Sequence, residues 1–281
     1  VRDLPKYRRG AYELVQIPIE RDGREPYVLE GSLLYPPDFD PERTYPVWFQ
    51  TYGGPHAPTV RDAWSSLLWE HVLSSQGFIL FRADPYSASG KGAQSAWTTY
   101  KRMGVGELED VKSAIDWIKR RPYVDPARIG MHGHSFGGYL TAYCMTHSDM
   151  FAAGISGAPV TDWSLYDTIY TERYMLTPQA NPDGYKETSV VGAAKDLKGR
   201  LLITFGTMDD NVHMQNSIRL IDALQKAKRQ FRIMAMPGYR HGLFGDFYRR
   251  MMYDFIMEMK EIAPRDRPEG TEQPAAELTA G

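Results

Sequence analysis

"RIGMHGHSFGGYLTA", residues 128–142, decides how the rest of the chain is read. A short apolar run leads into Gly133-His134-Ser135-Phe136-Gly137-Gly138, and a helical pattern follows at once over 135–148. A strand, a glycine-framed serine and a helix in immediate succession form the context of a nucleophile turn. In such a turn the serine backbone is strained, so that Oγ stands clear of the sheet. The residues two before and two after the serine approach closely, and only small side chains fit; Gly133 and Gly137 supply them. The backbone N–H of Phe136 then lies at the helix start, where it can stabilise an oxyanion. Two other readings begin from the same letters. One is an ordinary glycine-rich bend with an inert serine. The other is a metal site on His132 and His134, but no HExxH motif and no cysteine pair accompanies them.

Around this stretch, eight segments read as strands: 13–20, 27–35, 46–52, 77–84, 127–133, 152–158, 200–206 and 231–237. The first two alternate apolar and polar residues, as a half-exposed antiparallel edge does. The later ones are short continuous apolar runs, as strands covered on both faces require. Helical patterns separate them at 60–75, 106–121, 135–148, 211–228 and 241–262. The first is expected to bury Trp64, Leu67, Leu68 and Val72, and the second Leu108, Val111, Ile115 and Ile118. Strands alternating with helices predict an α/β domain, a mostly parallel sheet with helices on both faces. Ligands in such sheets bind beyond the carboxyl ends of the strands.

A nucleophilic serine needs a base, and the base needs an orienting acid. On this type of sheet they follow in the order Ser, Asp or Glu, then His, each just after a later strand. "LLITFGTMDDNVHMQNS" (201–217) provides Asp209 and Asp210, and "RIMAMPGYRHGLFGD" (232–246) provides His241. Asp209 is preferred as the acid, with Asp210 expected to cap the following helix. Of seven histidines, His241 alone follows the last strand. His213 is expected on the helix after Asp209, and His56, His71 and His147 lie between the wrong elements.

The composition sets limits on the class. Of 281 residues, 42% are hydrophobic and 24% charged, with a net charge of −2, which gives no reason to expect nucleic acid as a partner. Cys144 is the single cysteine, so no intramolecular disulfide can form. No apolar run approaches the roughly 20 residues of a membrane span, and no signal peptide is visible. These features leave cytoplasm and periplasm both open. The chain begins at Val1, so a piece processed or cut from something longer is expected. The expected organisation is a linker over 1–10, one folded domain over 11–263, and a tail over 264–281 too poor in apolar residues to order itself.

The three motifs together resemble the prolyl oligopeptidase family of serine peptidases, and within it the dipeptidyl peptidase IV branch, over roughly residues 28–262. The resemblance implies an α/β-hydrolase fold and a peptidase cleaving after Pro or Ala through an acyl-enzyme, without a cofactor. "TYGGPHAP" (51–58) resembles the segment whose tyrosine completes the oxyanion hole, here Tyr52, beside the Phe136 N–H. In "GTMDDNVH" (206–213), Asn211 matches the side chain that binds the substrate carbonyl. "APVTDWSLYDTIYTERYM" (158–175) resembles the helix lining the proline pocket. Trp163, Tyr166 and Tyr170 would share one face of that helix, and Val160, Val212 and the Phe136 ring match further pocket positions. Flat aromatic walls suit a rigid proline ring that lacks an N–H.

Departures from the family accompany the likeness. The family commonly places Trp or Asn before the nucleophile, and His134 stands there. It commonly has D-x-R-G-S/T-G after the fourth strand, and this chain reads Asp84-Pro85-Tyr86-Ser87-Ala88-Ser89-Gly90, a loop expected to lie away from the chemistry. Family members carry an N-terminal β-propeller, for which these residues leave no room. The expectation is an excised catalytic domain or one working alone with an open site. A peptide or small ester is the expected substrate, and the oligomeric state, homodimer included, is left open. Two rivals remain: a stand-alone carboxylesterase on the same triad, and a non-catalytic interaction domain.

Overall fold

"YPVWFQ", Tyr45–Gln50 (β3), is buried along its whole length. β-Branched and aromatic residues on both faces suit a strand covered from both sides. Seven more strands join it: Tyr12–Ile19 (β1), Tyr27–Leu34 (β2), Ile79–Ala83 (β4), Val124–His134 (β5), Ala153–Gly157 (β6), Arg200–Gly206 (β7) and Arg232–Met236 (β8). Their order is β1-β2-β4-β3-β5-β6-β7-β8. The pairs β1–β2 and β2–β4 are antiparallel, and every later pair is parallel. The eight-stranded, mostly parallel sheet follows the alternation of apolar segments, and the antiparallel edge follows the alternating first two. The computed structural model describes residues 9–21, 23, 25–63 and 68–262. The tail over 264–281, all but the last two residues of the 1–10 linker, and Trp64 and Leu67 lie outside the described residues.

Helices cover both faces. On one side lie Val105–Lys119 (α3), Phe136–His147 (α4) and Gln215–Lys226 (α7); on the other lie Leu68–Ser75 (α1) and Asp246–Met257 (α8). The α3 stripe of Leu108, Val111, Ile115 and Ile118 is buried against Phe81, Met131 and neighbouring sheet residues in the first core. The second core sets Trp48, Leu80 and Leu202 against Leu73 of α1 and Met252, Phe255 and Ile256 of α8. Among the described residues, Ala93–Trp97 (α2), Thr168–Met175 (α5) and Pro182–Glu187 (α6) fill the connections.

Three expectations are corrected. Leu68 and Val72 are exposed rather than buried; Trp69 and Leu73, one turn apart, make the contacts with the second core. The stretch 158–175 is not one helix. A 3₁₀ turn at Trp163–Leu165 is followed by extended Tyr166, and α5 starts only at Thr168. Two aspartates cause the break: Asp162 accepts the Ser164 N–H and Asp167 accepts the Tyr170 N–H, each offering the backbone a cap in place of a continuous helix. Asp210 does not cap α7, whose N-cap is Met214 without a side-chain bond. It is exposed and pairs with Arg240 at 3.2 Å.

Candidate active site

Ser135 sits between the end of β5 and the start of α4 with φ 62° and ψ −119°, a conformation that L residues adopt only under constraint. Backbone bonds impose it: the Ser135 N–H donates to Gly157 O at 2.8 Å, and its carbonyl accepts the Tyr139 N–H at 2.9 Å. A Cβ on Gly133 would lie 2.2 Å from the Gly137 carbonyl oxygen, and one on Gly137 would lie 2.6 Å from the Thr51 carbonyl oxygen. Both positions are therefore closed to any side chain.

The side chain of His241 reaches this turn from the loop after β8. Its Nε2 lies 2.9 Å from Ser135 Oγ, and its Nδ1 lies 2.8 Å from Asp209 Oδ2. The loop is seated on the end of β7, where Gly206 has no Cβ to meet the Tyr239 and Arg240 carbonyls. Met208 N–H donates to Tyr239 O, and Gly238 N–H donates to Thr207 Oγ1. Asp209 is buried, at 5% exposure, and its Oδ1 accepts the N–H groups of Asn211 and Val212. Those bonds aim Oδ2 at the imidazole. His213 is exposed and precedes α7 instead of lying on it.

Tyr52 follows β3, and its hydroxyl is near enough to the Ser135 side chain for the two to interact. Burial raises the phenol above its ordinary pKa, with the Ser135 interaction partly opposing, so the group stays a neutral donor near pH 7. Phe136 opens α4, with its N–H at the helix N-terminus and its ring 6.0 Å from Tyr52 and 5.6 Å from Trp163. Although 158–175 is broken, its three aromatics converge: Trp163 is 6.1 Å from Tyr166 and 6.3 Å from Tyr170, which lie 5.7 Å apart. Val160 and Val212 are buried in the same core. The Tyr166 hydroxyl donates to Asn211 Oδ1 at 2.8 Å, leaving Nδ2 without a partner among the described residues.

His132 and His134 do not bind together with further ligands: among the described residues no three His, Cys, Asp or Glu side chains converge as a metal site needs. His134 packs its ring 5.0 Å from that of His241. Burial, then the nearby His241, lowers its pKa. His132 is pushed down to about 4, chiefly by burial.

No hydrogen bond links the 84–90 loop to Ser135, Asp209 or His241 among the described residues, but the loop holds the segment that follows Tyr52. Buried Asp84 accepts the N–H groups of Thr59 and Val60 and the Thr59 hydroxyl, and Ser87 O accepts the His56 N–H at 3.0 Å. Ser87 is in turn held by the buried Glu107 carboxyl, which also takes the Gly104 N–H at the start of α3. The loop therefore buttresses the segment that follows Tyr52. Asn216, fully buried, is a second residue that sequence reasoning missed. Its Oδ1 accepts the Thr161 N–H and its Nδ2 donates to Leu165 O, fixing the aromatic stretch to α7. Both roles depend on contacts between distant segments, and no local pattern marks them.

The model of the prolyl oligopeptidase family matches residues 64–259. The chain belongs to that family. Its fold is the α/β-hydrolase fold. Among its relatives is a probable dipeptidyl-aminopeptidase B of Metarhizium robertsii, 38% identical over 223 residues, 78% of this chain and 24% of the relative. Dipeptidyl peptidase 4 of Trichophyton rubrum is 37% identical over 246 residues, 83% of this chain and 32% of that protein. The crystal structure of Porphyromonas gingivalis dipeptidyl peptidase 4 superposes with a TM-score of 0.84 at 37% identity, covering 92% of this chain and 36% of that one. The chain thus spans about a quarter to just over a third of the length of these family members.

Proposed function

We propose that the chain carries the hydrolytic centre of a serine peptidase of the dipeptidyl peptidase type, cleaving after Pro or Ala. The observation that carries this reading is the unbroken relay from Asp209 Oδ2 to His241 at 2.8 Å and from His241 to Ser135 Oγ at 2.9 Å, with Ser135 on a strained turn. His241 takes the Ser135 proton as Oγ bonds to the substrate carbonyl carbon. The carbonyl π pair moves to oxygen, which the Tyr52 hydroxyl and Phe136 N–H receive. Asp209 stabilises the imidazolium. The carbonyl re-forms, the C–N bond breaks, and the leaving amine takes the proton from His241. Water repeats the sequence on the acyl-enzyme, with His241 again the base. The substrate's Pro or Ala side chain rests against Phe136, Trp163, Tyr166 and Tyr170, and Asn211 Nδ2 donates to a substrate carbonyl.

Two measurements test this. A fluorophosphonate probe should label Ser135 at neutral pH and fail to label Ser135→Ala; an unlabelled wild type overturns the reading. Hydrolysis of an Xaa-Pro anilide is then compared with that of a short p-nitrophenyl ester. Turnover of the anilide supports the peptidase, whereas ester turnover alone assigns the same residues to a carboxylesterase.

A further inference from the structure

A cleft of about 390 Å³ opens beside the serine turn, and the Asp209–His241–Ser135 relay does not use it. Its lining includes Gln50, Tyr52, Trp69, Arg82, His132 and His134. Gln50, Arg82 and His132 stand in register on three adjacent strands, so they form one polar row across the sheet at its carboxyl end. Two residues earlier, the same face carries Trp48 and Leu80 in the second core. The sheet therefore changes from apolar to polar just where it reaches Ser135. Arg82 donates to Gln50 Oε1 at 3.0 and 3.2 Å and is ion-paired with Glu70 of α1. The Nε2 of Gln50 and the ring of His132 make no hydrogen bond among the described residues, although both residues line the cleft.

Chemistry sets which part of a substrate lies here. The leaving amine must receive its proton from His241, and His134, a wall of the cleft, is in ring contact with His241. The aromatic wall on the Phe136 side takes the acyl residue. The substrate residue on the amine side of the cleaved bond is therefore directed over His134 into the cleft. The opposed charges of the cleft, Arg82 and Glu70, neutralise one another, and His132 is held neutral by burial. An added charge would be desolvated there without a free counter-charge among the described residues, and an apolar side chain would strand polar groups.

We propose that this cleft is the subsite for the residue after the cleaved bond and that it selects an uncharged hydrogen-bonding side chain, an amide or hydroxyl. Gln50 Nε2 and the His132 imidazole are the groups that read it. This inference rests on the peptidase function proposed for the same site.

The test uses the 281-residue chain and Gly-Pro-X-amide peptides with X as Gln, Ser, Leu, Glu or Lys, alongside Gly-Pro anilide, which puts no such side chain in the cleft. Wild type should cleave Gln and Ser peptides about three- to ten-fold better in kcat/KM than the other three. Gln50→Met and His132→Phe, each near its original volume, should bring that ratio towards one. Anilide turnover and fluorophosphonate labelling in both variants should stay within about two-fold. A flat wild-type profile, a charged or apolar preference, or a ratio unchanged in both variants overturns the proposal. So does a parallel fall in anilide turnover, which would give the row a purely structural role. Turnover without selectivity overturns this inference alone, whereas no turnover and no labelling overturn the peptidase reading with it.

Discussion

Ser135 stands between two walls of opposite chemistry. On one side Phe136, Trp163, Tyr166 and Tyr170 form a packed aromatic cluster with ring spacings of 5.6–6.3 Å. On the other, Gln50, Arg82 and His132 form a polar row open to a cleft. The aromatic wall gains stability from its own burial, and in the proposed peptidase it would read the shape of the acyl residue. The polar wall costs stability wherever its groups lack partners, and under the proposed subsite a bound substrate residue would return that cost. The Ser135 backbone itself is held by backbone bonds to Gly157 and Tyr139 and not by a side chain of either wall. In the proposed peptidase, reactivity and recognition are thus separable, and substitutions should set them apart.

The largest effect should come from Ser135→Ala, which leaves both walls intact and should lower kcat/KM for an Xaa-Pro anilide by about 10⁴-fold or more, with circular dichroism unchanged. Retained turnover would move the nucleophile elsewhere. Trp163→Ala breaks the aromatic wall. Trp163 is 1% exposed, so its removal should destabilise the fold by about 3–5 kcal/mol in urea titration. A loss below about 1 kcal/mol would mean that the wall is loosely packed. Tyr52→Phe keeps the ring and removes the proposed oxyanion donor, so kcat should fall about 100- to 1,000-fold at unchanged stability.

The polar wall is tested through pH. His132 has a folded pKa of about 4 against the ordinary 6.5, lowered first by burial and then by His134 and Arg82. The unfolded chain therefore binds a proton from pH 6.5 downward before the folded one does. Its contribution is complete above pH 6.5 and is lost as pH falls towards 4, by up to about 3 kcal/mol. His132→Gln should flatten the fall in melting temperature over that range, and an unaltered slope would exclude His132 as its source. The smallest effect is expected from Tyr166→Phe. It frees Asn211 Oδ1 and should raise KM several-fold at similar kcat, through loss of about 1 kcal/mol of positioning.

Much of this site was legible in one dimension because its constraints are local. Gly133 and Gly137 flank the serine at the spacing that the turn requires, and each would collide with backbone if it carried a Cβ. Asp209 and His241 follow short apolar runs read as strands, so their expected place at the carboxyl end of the sheet followed from that reading. The aromatic stretch was harder. Its spacing suggested one helix, but Asp162 and Asp167 offered side-chain acceptors to the backbone and divided it. The rings still converge, because Asn216 ties the turn to α7 from more than fifty residues away. The α1 stripe failed for a related reason: a periodic pattern allows more than one face, and the sheet selected Trp69 and Leu73.

By itself the sequence determined the α/β layering, the strained serine turn and the order in which Ser135, Asp209 and His241 follow successive strands. Each depends on side-chain size, backbone freedom or apolar period within a few residues, and those properties travel with the local chain. Only the tertiary structure decided what surrounds the serine. Long-range pairing set Gln50, Arg82 and His132 in one row, brought the 84–90 loop against the segment after Tyr52, and turned His134 towards His241. Those neighbours come from segments tens of residues apart, and their meeting is fixed by sheet register and by which faces the helices leave open.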